Sequence, residues 1–98
     1  TPFVLSVADG VNLLSGTRIV SGSVKVTVEE VHEPVEFAAS IESRPVREID
    51  IFCADPMPPR YEINFELPDD LAGGPHTLDM MLNGRRLAPV SIDVVPRP

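Results

Sequence analysis

The chain has 98 residues, of which 43% are hydrophobic, and this is enough for one compact domain with one core but too little for two. Fifteen acidic residues against eight basic ones give a formal net charge of −7. Such a charge repels nucleic-acid phosphate and anionic membrane surfaces, so we expect no nucleic-acid partner. No apolar run approaches the roughly 20 residues that cross a bilayer, so we expect no membrane insertion.

The single cysteine concerns the cellular compartment, and the two ends concern the domain boundaries. Cys53 cannot form an intramolecular disulfide, and the cellular compartment therefore stays open. The sequence begins at Thr1 without a methionine and ends in VVPRP, whose two prolines are typical of a linker. We expect one domain over residues 1–95 and a linker or tail over residues 96–98, excised from a longer polypeptide.

Apolar side chains recur with a period of two along most of the chain, which is the pattern of half-buried β-strands. The first predicted strand is FVLSVA, with Phe3, Leu5 and Val7 on one face. The turn residues of DGVN follow, and the apolar pair Leu13 and Leu14 is compatible with a short helical turn. Since no helical stripe lasts three turns, the sequence predicts an all-β chain.

The next strand pattern, in TRIVSGSVKVTVEEV, directs Val24, Val26 and Val28 toward the core. Val31 falls out of phase with these three residues. A β-bulge, or the end of the strand near Glu30, would explain the slip.

Two further strands follow the same rule. In VEFAASI the inward-facing residues are Val35, Phe37, Ala39 and Ile41. In REIDIFC the residues Ile49, Ile51 and Cys53 align on one face. This alignment predicts that Cys53 is a buried core residue.

The last third of the chain holds the most regular pattern. In YEINFEL the inward-facing residues are Tyr61, Ile63, Phe65 and Leu67, and the outward-facing residues are Glu62, Asn64 and Glu66. HTLDMML and APVSIDVV then flank NGRR, where Asn83 and Gly84 are a strong hairpin signal because both tolerate a positive φ. We expect the two flanking strands to pair.

Seven or eight short strands, with turn signals about every 8–12 residues, predict an immunoglobulin-like sandwich of two packed antiparallel sheets. Residues 61–95 also resemble the last three strands of bacterial immunoglobulin-like, or fibronectin type III-like, domains. The shared pattern is a strand, a crossover with Pro68, Leu71 and Gly74, and a terminal hairpin. The antibody-type cysteine pair and tryptophan are absent, and His76 lies near a position where the fold often has tyrosine. The resemblance implies an architecture and a binding or spacing role, without a specific ligand.

Cys53 is interpreted as a structural residue rather than a nucleophile. A reactive thiol needs a nearby cation, histidine or helix amino end, whereas Asp50 and Asp55 are the charged neighbours of Cys53 in the sequence. The following ADPMPPR segment holds three prolines, which stiffen the connection to the next strand. We expect no enzyme activity, because the sequence contains no recognisable nucleophile with its base.

The potential metal ligands are scattered along the chain. They are His32, His76, Cys53, Asp55 and the carboxylates of EEVHEP, and none has zinc-finger spacing. The acidic cluster of Glu29, Glu30, Glu33 and Glu36 is interpreted as a solvated face. Asp69 and Asp70 are interpreted as turn formers rather than as a general-acid pair. The sequence therefore predicts no metal and no cofactor.

The residues proposed for binding are charged and lie near predicted turns. They are Arg85, Arg86, Arg60 and Asp55. For Arg85 and Arg86, which lie at a loop tip, a plain solvated turn is the alternative interpretation. His76, Asn83 and Gly84 are predicted to be structural, and the His76 ring is expected to hydrogen-bond a backbone carbonyl.

The favoured function is that of a non-catalytic accessory module, which spaces or orients neighbouring domains of a larger bacterial polypeptide or binds another protein. The alternative is a carbohydrate-binding module attached to a glycan-processing enzyme such as a glycosyltransferase or hydrolase, because sandwich folds can bind sugars on aromatic platforms. With only five aromatic residues and no tryptophan, the composition favours the first hypothesis.

Overall fold

The computed structural model describes residues 3–11, 17–31, 36–57 and 59–96. The strands in these ranges are β1 (Phe3–Asp9), β2 (Arg18–Ile19), β3 (Ser23–Glu29), β4 (Phe37–Ile41), β5 (Arg44–Pro45), β6 (Arg47–Pro56), β7 (Pro59–Glu66), β8 (Gly74–Leu82), β9 (Arg85–Arg86) and β10 (Val90–Val94). The described residues form strands and turns without a helix, which confirms the all-β prediction. The ten strands exceed the expected seven or eight, and three of them are only two residues long. Leu13, Leu14, His32, Glu33 and Val35 lie outside the described residues.

The strands form two sheets. Sheet A has the order β1-β3-β7-β6, and sheet B has the order β2-β10-β8-β4-β5, with β9 also paired to β8. Every pairing is antiparallel except that of β2 with β10, which is parallel. Sheet B is therefore mixed, and the expectation of two antiparallel sheets is wrong for this one edge.

The hydrophobic core lies between the two sheets. Its fully buried side chains come from both of them, and the largest are Phe65, Ile19, Ile41, Ile63, Leu78, Met80, Leu82 and Ile92. The Phe37 ring of sheet B stacks on the Phe65 ring of sheet A, with ring centroids 5.7 Å apart and an interplanar angle of 26°. Each such apolar side chain contributes about 1.5–3 kcal/mol when it leaves water, so this layer stabilises the fold.

The predicted alternation is confirmed in β3, where Val24, Val26 and Val28 are fully buried. It is equally regular in β7, whose buried residues are opposite those of β3. The predicted slip at the end of β3 is also confirmed, since the strand ends at Glu29 and Glu30 has a φ of 61°. A left-handed residue at this point breaks the alternation before Val31.

The alternation predicted for β1 is wrong. Phe3 and Leu5 are each 44% exposed, whereas Val7 is buried. Val4 lies opposite Val28 on the inner face, and a register shift between Val4 and Ser6 interrupts the pairing with β3. The extra residue reverses the phase of the strand, so that Phe3 and Val7 lie on opposite faces of sheet A.

The turns between strands account for several residues with positive φ. Asn83 and Gly84 have φ values of 50° and 79°, and they join β8 to β9 in a two-residue hairpin. β10 then pairs with the first half of β8, so the predicted pairing of the last two long strands is confirmed. Glu42 and Ser43, with φ values of 52° and 63°, form a similar turn between β4 and β5.

Candidate functional site

A groove lies at one end of the sandwich, between the start of β6, the β7–β8 connection and the end of β10. We call it the crossover groove, and its volume is about 590 Å³. Its apolar lining residues include Ile19, Leu67, Leu71 and Val94, of which all but the half-buried Leu71 are buried core residues. The groove therefore opens directly onto the hydrophobic core.

The β7–β8 connection is held in place by backbone contacts at both of its ends. The Leu67 amide donates a 2.8 Å hydrogen bond to the Gly22 carbonyl, just after β7 ends. Near the start of β8, a Cβ atom added to Gly73 would lie 2.8 Å from Cγ of Pro96. A side chain at this position would force Gly73 or Pro96 to shift, and Pro96 also lines the crossover groove.

Charged groups line the rim of the crossover groove. Arg47 Nη2 donates to Asp69 Oδ1 and to the Leu67 carbonyl, at 3.2 Å in both cases. Ser23 Oγ lies 2.8 Å from both carboxylate oxygens of Glu66. Asp70 adds a further exposed carboxylate, in a turn with a φ of 65°. The rim can thus form ion pairs and hydrogen bonds with groups that enter the groove.

The predicted turn at Asp69 and Asp70 is present in this connection. The Asp69 carbonyl accepts a 2.6 Å hydrogen bond from Arg44 Nη2, and the Asp69 side chain binds Arg47. The Asp69 side chain is 78% exposed, so water screens its ion pair and limits its value to about 0–1 kcal/mol. These contacts fix the rim locally.

His76 joins the crossover to the β4–β5 turn from a buried position. Its Nε2 lies 2.7 Å from the Ala72 carbonyl oxygen, and its Nδ1 lies 2.7 Å from Glu42 Oε1. The first contact is the backbone hydrogen bond that the sequence predicts. Both partners are acceptors, so the doubly protonated ring satisfies both bonds.

The same geometry raises the pKa of His76 above its usual value of 6.5. The Ala72 carbonyl is the largest cause, and the hydrogen bond and charge of Glu42 add to it, while burial of the ring acts in the opposite direction. The side chain of His76 is only 6% exposed. His76 is therefore a buried titratable group that holds two loops together.

Asp9 is the other buried charged residue within the described ranges, and sequence reasoning missed its role. Its Oδ2 accepts 2.7 Å hydrogen bonds from the amides of Val20 and Ser21, and its Oδ1 accepts from the Val11 amide at 2.9 Å. Ser21 Oγ also donates to Oδ1. The Asp-Gly turn signal indicates the bond to Val11, because aspartate commonly binds the amide two residues later. The bonds to residues 20 and 21 are distant in sequence and have no local signal.

The four candidate binding residues do not form one site. Arg60 and Asp55 are register partners in sheet A, and Arg60 Nη2 also binds Glu29 Oε2 at 3.3 Å. Arg85 and Arg86 are exposed on β9 of sheet B, where Arg86 Nη2 lies 3.3 Å from Asp79 Oδ1. The candidates therefore divide into one pair on each sheet.

Asn83 has a clear structural contact in addition to its turn. Its side-chain Oδ1 accepts a 2.7 Å hydrogen bond from the backbone amide of Glu36, and its backbone amide donates a 2.8 Å hydrogen bond to the Glu36 carbonyl. These two bonds attach the β8–β9 hairpin to the residue that precedes β4. Gly84 has no atom within 4 Å of its missing Cβ, so its positive φ is its one steric requirement for glycine.

The prediction that Cys53 is buried is wrong, because the residue is exposed. Cys53 lies opposite Tyr61 and thus shares the inner face of sheet A with it, as the alternation indicates. However, β6 is the edge strand of sheet A, and its burial pattern shows that this face is not covered there. Ile49, which lies in the same edge strand, is 39% exposed. Alternation identifies the face of a strand but not whether another sheet covers it.

The outer face of sheet A presents two phenylalanines. Phe3 of β1 lies opposite Glu29 of β3, and Phe52 of β6 lies opposite Glu62 of β7. Each is 44% exposed. The two strands are three positions apart in the sheet, which corresponds to roughly 14 Å. Between them lie the ion pairs of β3 with β7, including Lys25 Nζ at 3.7 Å from Glu62 Oε2.

The described residues contain no group of three or more His, Cys, Asp or Glu side chains that could hold a metal ion. In the same part of the chain, no helix is long and apolar enough to cross a membrane. No known family model matches the sequence, and the curated proteins include none with significant similarity to it.

Proposed function

We propose that the chain is a non-catalytic, immunoglobulin-like module of a larger bacterial protein, and that its crossover groove docks a neighbouring domain or another protein. The observation that carries the proposal is the groove of about 590 Å³, whose apolar floor has a charged rim. Interfaces between domains of one chain combine apolar and polar contacts in this way.

The strand order supports an immunoglobulin-like assignment. In that fold, strands A, B, E and D form one sheet, and strands C, F and G form the other. Sheet A has the corresponding order if β1, β3, β7 and β6 are A, B, E and D. In sheet B, β10, β8 and β4 would then be G, F and C, with β2 and β5 as short additions at the two edges.

The position of His76 supports the same assignment. Immunoglobulin-like domains often have a tyrosine near the start of strand F, whose hydroxyl binds the backbone a few residues upstream. His76 lies near the start of β8, and its Nε2 donates to the carbonyl of Ala72, four residues upstream. We propose that histidine takes the place of the tyrosine in this chain.

The buried charged and polar side chains of the described ranges have structural contacts. The two buried charged or polar residues there are Asp9 and His76, and both are engaged in bonds that hold loops. A nucleophile with an adjacent base would be expected in a covalent enzyme. Cys53, the one thiol of the chain, lies on the edge strand β6 rather than in the crossover groove.

The docking proposal is tested with the domain that adjoins this module in the full-length protein. Its affinity for the module, expressed separately, is measured by isothermal titration calorimetry with the unchanged module and with Leu71→Asp. Leu71 lines the groove, so a buried carboxylate there should weaken binding about tenfold or more. Met81→Asp is the matched control, because Met81 is 46% exposed on sheet B and does not line the groove.

Urea denaturation of both variants shows whether the fold is retained. Equal affinity of a folded Leu71→Asp variant and the unchanged module would contradict docking in the groove. Loss of binding in the Met81→Asp control would assign the interface to sheet B instead.

The second candidate function is carbohydrate binding on the outer face of sheet A. The observation that favours it is the pair of exposed rings, Phe3 and Phe52, with charged hydrogen-bonding groups between them. Aromatic faces can stack on the apolar faces of sugar rings. Titration with a panel of glycans, followed by NMR, should then shift the amides of β1, β3, β7 and β6, and Phe52→Ala should abolish the shifts. No shift with any glycan would remove this candidate.

A further inference from the structure

Strand β6 leaves apolar side chains in contact with water. Ile49 is 39% exposed, Phe52 is 44% exposed and Cys53 is exposed, while Ile51 is half-buried against the core. We call these four residues the β6 strip. The sequence pattern aligns three of them, Ile49, Ile51 and Cys53, on one face and predicts burial there, whereas Phe52 lies on the opposite face. The β6 strip is therefore as apolar as a buried strand, although no other described residues cover it.

The backbone of β6 is available as well. β6 is the terminal strand of sheet A and pairs with β7 on one side. On its other side, no strand among the described residues pairs with it. An edge strand of this kind presents amide and carbonyl groups that can form a ladder with another strand.

We propose that β6 pairs antiparallel with β6 of a second copy of this chain, with Ile51 opposite Ile51 on a two-fold axis. The proposal goes beyond the docking function and does not depend on it. A two-fold axis perpendicular to the sheet makes the interface self-complementary, since the same strand contributes both sides. The result would be a continuous sheet of eight strands.

The faces of the strand restrict the register. Residues that lie opposite each other in an antiparallel pair share a face, so an inner-face residue must meet another inner-face residue. Ile51 and Cys53 are opposite Ile63 and Tyr61 and thus lie on the inner face. With Ile51 on the axis, Ile49 of one copy lies opposite Cys53 of the other. The inner side of the interface is then apolar throughout.

Charge complementarity supports the same register. In the pairing with β7, Arg47 lies opposite Glu66 and Asp55 lies opposite Arg60, so both residues are on the outer face. They lie four residues on either side of Ile51, each just beyond one irregularity of the pairing with β7, so the register brings Arg47, which pairs with Asp69 within its own chain, near Asp55 of the second copy at each end of the ladder. Opposite charges across a strand pair are favourable, and a parallel arrangement of the two strands in register would place like charges together.

The two irregularities of β6 limit the length of the new ladder. The register with β7 shifts between Arg47 and Asp50, and again between Cys53 and Asp55. One irregularity lies on each side of Ile51, and the regular stretch between them is Asp50–Cys53. Bulges blunt an edge strand against indefinite pairing. The expected product is therefore a weak, closed dimer rather than an extended aggregate.

Disulfide cross-linking tests the register. Residues directly opposite in an antiparallel pair have Cα atoms about 4.5–5.5 Å apart, which a disulfide can bridge. Under mild oxidation, Ile51→Cys in a Cys53→Ser background should give a covalent dimer. Ile49→Cys should also do so through the native Cys53 of the second copy. Met81→Cys with Cys53→Ser is the control, because Met81 is 46% exposed on the other sheet and is thus more accessible than the half-buried Ile51.

Analytical ultracentrifugation under reducing conditions tests the dimer without any cross-link. The unchanged module should show a concentration-dependent dimer, and Ile49→Lys should raise its dissociation constant about tenfold or more, because lysine is unfavourable at a paired edge. Ile49 is partly exposed, so this variant is expected to fold, and circular dichroism checks it. The groove variant Leu71→Asp should dimerise normally, which separates this proposal from the docking function.

Three results would overturn the proposal. A monomer at every accessible concentration would exclude the dimer. Cross-linking of Ile51→Cys no faster than that of the Met81→Cys control would exclude pairing through β6. Rapid cross-linking of the unchanged chain through Cys53 alone would exclude the Ile51-centred register, because that register places Cys53 opposite Ile49.

Discussion

The ring of His76 lies 2.7 Å from the carboxylate of Glu42 and, on its other side, 2.7 Å from the Ala72 carbonyl. The ring thereby connects the β7–β8 crossover, which forms the groove, to the β4–β5 turn. Both contacts favour the protonated ring, so the connection between these two loops depends on pH. The first prediction follows from this relationship.

Stability should decline as the pH rises above 6.5. The pKa of His76 is raised in the folded chain, so its contribution is fully present below the unfolded value of 6.5 and is lost as the pH rises through the folded value. Urea denaturation across this range should show the decline in the unchanged chain and a flatter profile in His76→Gln.

The pH prediction has an internal control. Glu42→Gln removes the charge beside Nδ1 but leaves the larger effect of the Ala72 carbonyl, so its pH profile should lie between those of the unchanged chain and His76→Gln. If His76→Gln kept the full pH dependence of the unchanged chain, another group would be responsible for it.

Asp9→Asn should destabilise the fold by about 2–4 kcal/mol. Both carboxylate oxygens of Asp9 accept backbone hydrogen bonds, from Val11, Val20 and Ser21. An asparagine in either orientation directs its NH₂ group at donors. The free energy of unfolding from urea denaturation measures the loss. Asp93→Asn on the exposed side of β10 is the matched control and should change it by less than about 0.5 kcal/mol.

The two hairpin turns should respond in opposite directions to single substitutions. Gly84→Ala places a Cβ at a φ of 79° and should destabilise the fold by about 1–2 kcal/mol, although the added atom meets no other atom within 4 Å. Ser43→Gly relieves a φ of 63° and should stabilise it by about 0.5–1 kcal/mol. Thermal melts of the two variants compare them directly. A destabilised Ser43→Gly variant would contradict the assignment of strain to this turn.

The residues that sequence analysis placed correctly have local causes. Val26 and Ile63 belong to apolar patterns with a period of two in central strands. Because a sheet covers the inner face of these strands, the period alone is enough to predict which side chains are buried. Asn83 and Gly84 identify their hairpin because two adjacent residues with positive φ need such side chains. Only the local chain is needed for these predictions.

The wrong or missing assignments depend on distant parts of the chain. The phase of Phe3 is set by the pairing of β1 with β3, whose register shifts between Val4 and Ser6, and the apolar pattern of FVLSVA does not indicate that shift. Cys53 is exposed because β6 lies at the edge of its sheet, which is a property of strand order. The groove likewise forms where Ile19, Leu67 and Val94 meet from separate segments. No spacing within one segment encodes these relationships.

The final prediction concerns the contact between the sheets. Phe37 of sheet B and Phe65 of sheet A stack at 5.7 Å, so the two rings should contribute a coupling energy of about 0.5–1.5 kcal/mol. A double-mutant cycle with Phe37→Leu, Phe65→Leu and the combined variant measures it by urea denaturation. Leucine retains most of the apolar volume, so the cycle isolates the interaction between rings from the cost of a cavity. Additive losses in the combined variant would mean that the rings fill space without a specific interaction. A coupling in the expected range would show that Phe37, although only half-buried, helps to align the two sheets.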